Sequence, residues 1–297
     1  MAKVRIGLSG WSYDAWQGDF YPGDLAKSRR LEYAADRFAS LEINGTFYSL
    51  QRPATFRDWY ERTPAGFVWA VKASRYITHS KRLNEPREAV ANFLASGPLA
   101  LGGKLGPILW QLPGRLEFDA DRVERFLELL PKDTESAADL AGDHDPDVVE
   151  ESFTGVEENH RMRHAVEPRH ESFFDDAFPR LARDHGVAIV FADSGEWPYT
   201  EELTAGFVYL RLHGSPETYA SGYGDGELDR WADRIRAWRD GGEPDDAERL
   251  TGLAAPRRKS RDVYVYFDND ARGHAPWNAL DLAERLGVGW ADEHAGG

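Results

Sequence analysis

Ionisable and hydrogen-bonding side chains recur in this chain at the ends of short apolar runs, at spacings that bring them together. Successive side chains of a strand alternate between its two faces. On the second run Glu42, Asn44 and Thr46 share one face, and Leu41 and Ile43 the other. By the same parity Lys72 lies with Val68 and Ala70, Gln111 with Leu109, and Arg169 with Glu167. Asp193 lies with Ile189 and Phe191, and His213 with Arg211 and Tyr209, while Ser9 and Trp11 project from the first run. Buried charge is costly unless it is paired or put to use. Polar ends on nearly every run therefore point to one shared mouth. The plainer alternative is a set of buried braces, Glu42 with Lys72 and Glu167 with Arg169.

The residue types suit acid–base work on an anion. Glu42, Lys72, Glu167, His170, Asp193 and His213 are the candidate catalytic groups. Ser9, Trp11, Tyr13, Asn44, Tyr48, Arg75, His79, Gln111, Arg169, Arg211, Tyr223 and Asn269 are the candidate substrate contacts. Guanidinium forks match carboxylate and phosphate geometry, so the expected ligand is an anionic small molecule and the expected reaction a hydrolysis. Nucleic acid is the alternative partner, bound without catalysis by the same cations and by aromatics that stack bases. Glycines 222, 224 and 226 suit a loop that closes.

Other chemistries are narrowed by what the pattern lacks. A divalent metal remains an open cofactor, with Glu167, Asp193 and His213 as its expected ligands, as in barrels of the xylose isomerase and apurinic endonuclease type. His160 and His164 precede the fifth run and fall at the wrong end, and Asp268-Asn269-Asp270 starts like a calcium loop that has Ala279 at position twelve. No phosphate loop, dinucleotide fingerprint or serine elbow occurs, so no nucleotide cofactor is expected. The fourth and seventh runs end in Gln111 and in Arg211 and His213, which disfavours the large glycosidase clans. Lys72 is the one Schiff-base candidate at the mouth, and Glu42 on the neighbouring run is expected to hold it as a charged ion pair.

The elements that must position these residues are legible as a repeat. Apolar runs cover residues 4–8, 40–46, 67–73, 107–112, 165–167, 187–191, 207–212 and 263–267. Helical periodicity covers 31–38, 55–61, 88–94, 121–130, 178–184, 228–238 and 278–286. Alternation of this kind predicts a single-domain α/β fold, a TIM-type (β/α)8 barrel whose strand ends meet at the C-terminal mouth. Residues 133–158 and 240–262 break the rhythm and read as solvent-exposed insertions; the second carries Arg257-Arg258-Lys259.

Several blocks taken together resemble one family. They are Ile6-Gly7-Leu8-Ser9-Gly10-Trp11-Ser12-Tyr13, Glu42-Ile43-Asn44, Val71-Lys72-Ala73, Leu109-Trp110-Gln111-Leu112-Pro113, Glu167-Pro168-Arg169-His170, Tyr209-Leu210-Arg211-Leu212-His213-Gly214 and Tyr264-Val265-Tyr266-Phe267-Asp268-Asn269-Asp270. They resemble the YecE-like family, domain of unknown function 72, from the first strand to the last. The resemblance implies a TIM-type barrel and carries over no settled activity. The chain departs from the family pattern at Pro168, at Glu171-Ser172-Phe173-Phe174, at Gly45 and at Gln51-Arg52.

Composition bounds the setting. The 297 residues carry 36 basic and 51 acidic side chains, a net charge of −15, and no cysteine, which excludes disulfides, thiolate catalysis and cysteine metal sites. No apolar run is long enough for a signal or a membrane span, so a soluble, cytoplasmic protein with no membrane partner is expected. Only seven of the basic residues are lysines, against 29 arginines. An acidic, lysine-poor surface suits a chain that stays hydrated in concentrated salt. The thermal midpoint should therefore rise between dilute and molar potassium chloride, and a scan showing no rise would remove this halophilic reading.

Overall fold

Runs of β-branched and aromatic residues between helical repeats are buried on both faces, as parallel strands under a helical layer must be. The structure, a computed structural model, describes residues 2–290. Its strands are β1 (Val4–Ser9), β2 (Ser40–Ile43), β3 (Val68–Lys72), β4 (Leu105–Gln111), β5 (His164–Glu167), β6 (Ala188–Asp193), β7 (Phe207–Leu212) and β8 (Asp262–Phe267). All neighbours are parallel and the sheet closes in sequence order, β8 pairing with β1. The expected single-domain barrel is the fold observed.

Nine helices flank the strands among the described residues: α1 (Arg30–Ala35), α2 (Gly45–Tyr48), α3 (Pro53–Glu61), α4 (Arg87–Ala95), α5 (Ala120–Leu129), α6 (Thr134–Ala141), α7 (Ala177–His185), α8 (Asp225–Arg239) and α9 (His274–Leu286). Their ends follow local chemistry. Pro53 opens α3, where its missing N–H costs nothing. Asp119 and Asp133 cap α5 and α6 by accepting from the backbone N–H groups of Arg122 and Ser136 at 3.0 and 2.8 Å. Gly186 ends α7 in the left-handed region at φ 66°. None of the helices among the described residues is long and apolar enough to cross a membrane.

Three segments depart from a plain strand–helix repeat. Residues 194–206, between β6 and β7, form no helix. Pro198 interrupts the segment, and buried carboxylates pin the loop: Glu201 accepts from Arg234 at 2.7 Å, and Glu202 from Arg183 at 2.7 Å and Thr251 at 2.7 Å. Residues 133–158 are likewise not a wholly solvated insertion. Ala137, Leu140 and Ala141 fall at helical spacing on α6, are buried, and pack against α4. In 240–262 no helix forms, yet Arg261 is buried and donates to the Gly242 and Pro256 carbonyls at 3.0 and 2.6 Å. Arg258 lies against Gly206, just before β7, so the basic run sits at the end of the barrel opposite the mouth.

Inside the barrel an apolar and aromatic layer supports a polar one. Val68, Ala70, Leu109, Ala165, Val190, Phe207, Tyr209, Tyr264 and Tyr266 fill the lower interior. Above them, at the C-terminal strand ends, lie buried Ser9, Glu42, Lys72, Gln111, Glu167, Arg211 and Asp268.

Candidate active site

Arg211, fully buried on β7, is the centre of that polar layer. Its Nη2 donates to Glu42 Oε1 at 2.8 Å, to Asp268 Oδ2 at 2.8 Å and to Ser9 Oγ at 2.9 Å. Its Nη1 donates to Glu167 Oε2 at 2.9 Å, and its Nε to Glu42 Oε2 at 3.2 Å. Tyr209 and Ser9 donate their hydroxyls to Glu42 at 2.6 and 2.5 Å, and Asn44 donates its amide to Ser9 Oγ at 2.8 Å. Burial pushes the Glu167 and Asp268 carboxyls up, but the cations outweigh it. Arg169 and Arg211 bring Glu167 down to about 2, and Arg211 and His213 hold Asp268 below the usual carboxylate range.

His213 closes the network from beneath the Trp197 ring, 5.2 Å away edge to face. Its Nε2 accepts from Arg211 Nη1 at 3.3 Å, so the proton of the neutral ring sits on Nδ1, 3.0 Å from Asp268 Oδ2 but poorly aligned with it. Burial and the Arg211 charge lower its pKa and keep it neutral. Arg169 donates to Glu167 Oε1 at 2.8 Å and stacks 3.5 Å from the Trp197 ring centre.

A second group gathers around Phe47 on α2. Lys72 Nζ lies 4.4 Å from the Phe47 ring centre, the Arg75 guanidinium 6.0 Å, and the His79 ring 5.1 Å. Among the described residues neither Lys72 nor Arg75 makes an ion pair; Glu42 and Glu167 are taken by Arg211 and Arg169. Burial, then the Arg211 charge, lowers Lys72 to about 8. Burial, then Arg75, Arg169 and Lys72, lowers His79 to about 4. The segment carrying them is unusual in its backbone: a π-helical turn over Tyr76–Ser80 is followed by Arg82, Leu83 and Glu85 at φ 51°, 63° and 42°. Such conformations persist where packing over-determines them, and Leu83 is buried.

Across the mouth, after β8, Asp270 is half-buried beside Asp268 and Tyr13. Burial, then the Asp268 charge, raises its carboxyl to about 6. The Tyr13 hydroxyl donates to the Ser9 carbonyl at 2.6 Å.

The model for "Protein of unknown function DUF72" matches residues 5–295. The chain belongs to the DUF72 family. It is 27% identical to the protein YecE of Escherichia coli O157:H7 over 222 residues, covering 72% of this chain and 75% of the relative. It is 27% identical to YunF of Bacillus subtilis over 116 residues, a match spanning 37% of this chain and only 40% of YunF. A DUF72 family protein from Thermotoga maritima MSB8 superposes with a TM-score of 0.72 at 25% identity, over 96% of this chain and 99% of that one. One from Enterococcus faecalis V583 has the same fold, with a TM-score of 0.68 at 16% identity, over 96% and 95% of the two chains.

Within this DUF72 barrel, parity correctly places Glu42, Lys72, Gln111, Glu167, Arg211 and His213 inward, and other expectations need correction. Asp193 faces outward with Ile189 and Phe191, because the interior residues of β6 are Ala188, Val190 and Ala192. Its carboxylate accepts from the Tyr223 hydroxyl at 2.6 Å. Glu167, Asp193 and His213 therefore do not converge, and no three His, Asp or Glu side chains among the described residues form a metal-binding group. Tyr223 and buried Asn269 anchor the 213–227 loop: Tyr223 accepts from the Gly214 N–H at 2.9 Å, and Asn269 donates to the Ser221 carbonyl at 3.0 Å. That loop is tied down and is not a free lid. Trp11 packs outward on Trp59 and Trp69, at 5.6 and 5.2 Å. His170 accepts from the Ser172 N–H at 3.3 Å and caps a short turn.

Arg211 itself has no donor to spare for a ligand, and Glu42 does not pair Lys72. Asp268 was missed as a site residue although its even number, with Tyr264 and Tyr266, places it inward; Asp270 and Trp197 were missed too. Arg211→Ala should act on stability, leaving three carboxylates without their shared counter-ion. We expect a loss of about 3–5 kcal/mol in urea unfolding, and an unchanged midpoint would contradict the assignment.

Proposed function

We propose that this DUF72 protein is an enzyme that binds an anionic, phosphate-bearing substrate at the barrel mouth and hydrolyses it. The observation that carries the reading is the set of cations around Phe47. Buried Lys72 and exposed Arg75 both lie against the Phe47 ring, and neither makes an ion pair among the described residues. Like charges held together are stabilised when an anion arrives between them. Arg169, fixed by Glu167, and neutral His79 complete the wall, the imidazole as a hydrogen-bonding group rather than a charge.

Hydrolysis requires a base for water. Glu42, Glu167 and Asp268 are occupied by Arg211, Arg169, Tyr209 and Ser9, which leaves Asp270 as the carboxylate for that role. Its pKa of about 6 lets it accept a proton at neutral pH and release it again. A carboxylate with this pKa at the mouth is the observation that supports the catalytic reading over simple nucleic-acid binding. The basic run 257–259 sits at the other end of the barrel and adds nothing to the mouth.

Two measurements test this. Sulfate, which keeps its charge across the range, should bind below pH 8 and weaken about tenfold as pH rises through 8 and Lys72 loses its proton. Lys72→Met should flatten that dependence, and a pH-independent wild-type affinity would refute the anion wall. Turnover of p-nitrophenyl phosphate should rise as pH passes about 6, where Asp270 deprotonates. It should fall about 100-fold or more in Asp270→Asn; equal turnover by that variant would remove Asp270 from the mechanism.

A further inference from the structure

Beside the anion wall, between the ends of β1 and β2, lies a half-enclosed cavity of about 290 Å³ that the hydrolytic reading does not use. Its walls are mainly the rings of Trp11, Tyr13 and Trp59, with Asn44, Gly45 and Gln51 at the rim. Trp11 and Trp59 meet edge to face, 5.6 Å apart. Flat aromatic walls of this kind suit a planar guest, which gains stacking and apolar burial together.

Asn44 gives the guest its chemistry. It occupies the position before α2 where an asparagine ordinarily accepts from the first helical N–H groups, yet it makes no such cap. Its amide instead donates to Ser9 Oγ at 2.8 Å, and its Oδ1 is buried with no partner among the described residues. A buried acceptor left unmade costs free energy. A small turn about the broad terminal torsion of the amide would offer that oxygen to an N–H donor in the cavity.

The cavity and the wall are joined by α2 itself. Asn44 and Gly45 border the cavity at one end, and Phe47 meets Lys72, Arg75 and His79 at the other. From Asn44 and Gly45 to Phe47 is two to three residues, about 3–4.5 Å along the helix, so a base in the cavity and a phosphate beside Phe47 would be a sugar's width apart once their own radii are added. Resting on the reading of the wall as a phosphate site, we infer that the substrate is a nucleotide unit, its N–H-bearing base held against Trp11 and Trp59 and its phosphate against Lys72 and Arg75. The unit is either a free mononucleotide or part of a single strand.

Gly45 provides a clean test, because a Cβ there would meet nothing within 4 Å. The Cβ of a leucine there starts in open space at the rim of the cavity, from which its branched end can reach over the opening. The four ribonucleoside 5′-monophosphates, ribose 5-phosphate and inorganic phosphate would be titrated calorimetrically, with tryptophan fluorescence followed in parallel. At least one nucleotide should bind tenfold or more tighter than ribose 5-phosphate and quench the fluorescence. Gly45→Leu should abolish that gain and leave affinity for inorganic phosphate unchanged, with the wild-type melting midpoint confirming an intact fold. Tighter binding of a tetranucleotide than of any monomer would support the same recognition and identify a strand as its source. Nucleotides no tighter than ribose 5-phosphate, or a Gly45→Leu variant that binds them like wild type, would overturn the base cavity while leaving the phosphate wall standing. Failure of inorganic phosphate and ribose 5-phosphate to bind would count against the wall, and nucleosides alone would then decide the cavity: quenching lost in Gly45→Leu supports it, and no quenching overturns it.

Discussion

A single guanidinium, buried at the top of the barrel and divided among three carboxylates, is the constraint on which the mouth is built. Glu42 arrives from β2, Glu167 from β5, Asp268 from the end of β8, and Arg211 from β7, so their contacts tie together strands from all around the ring. Each carboxylate would be costly alone in a site without water, and so would the cation. Together they fix strand register, because a slip of one residue would turn any of these side chains out of the interior. Gly7, below Ser9, serves the same closure: a Cβ there would overlap the Ser40 carbonyl on the neighbouring strand.

That saturation determines what remains for chemistry. Three carboxylates face three cations in the buried layer, Arg211, Arg169 and Lys72, and the balance holds only while Lys72 is protonated. Lys72 is also the member with the weakest hold on its partners, since no carboxylate pairs with it among the described residues. It is the adjustable charge of an otherwise rigid set. The loop after β3, with its π-helical turn and left-handed residues, continues from this adjustable side. Asp270, after β8 and beside Tyr13, is the carboxyl of the mouth that is raised toward neutrality. The rim of the mouth thus carries Arg75 and His79 on one side and a carboxyl raised toward neutrality on the other, over a floor whose charges balance while Lys72 is protonated.

The barrel was readable in the sequence because its signals are local. Apolar runs located all eight strands to within a few residues, and parity alone put Glu42, Lys72, Glu167, Arg211 and His213 in the interior. Parity fixes a side, however, and not a partner. It could not tell that Arg211 would exhaust its donors within the protein and leave Lys72 and Arg75 without a carboxylate partner among the described residues. It misplaced Asp193 because the run was given no anchor for its inner face; Ala188, Val190 and Ala192 are smaller than the Ile189 and Phe191 that pack outward. Small residues inside and large ones outside are what a narrow barrel demands. Asp268 is legible by the same count, with Tyr264 and Tyr266 on the inner face of β8, although the Asp268-Asn269-Asp270 pattern suggests a calcium loop instead. The aromatic cavity arises from β1, α2 and α3 meeting in space, which no local pattern encodes.

The anion wall proposed above would have to work against the protein that carries it. A net charge of −15 surrounds the mouth with a field that repels anions at long range. Attraction by buried Lys72 would act at contact, where screening is weak. Added salt shortens the Debye length from about 10 Å at 0.1 M to about 3 Å at 1 M. Salt thus removes the long-range repulsion well before it weakens a contact made in a half-buried site. For this chain, then, the acidic surface and an anion-binding mouth are compatible, and they are most compatible in concentrated salt. The same reasoning explains why the wall is built on buried Lys72 beneath Phe47 rather than on surface arginines alone, since a fully exposed cation would be screened together with the field it must overcome.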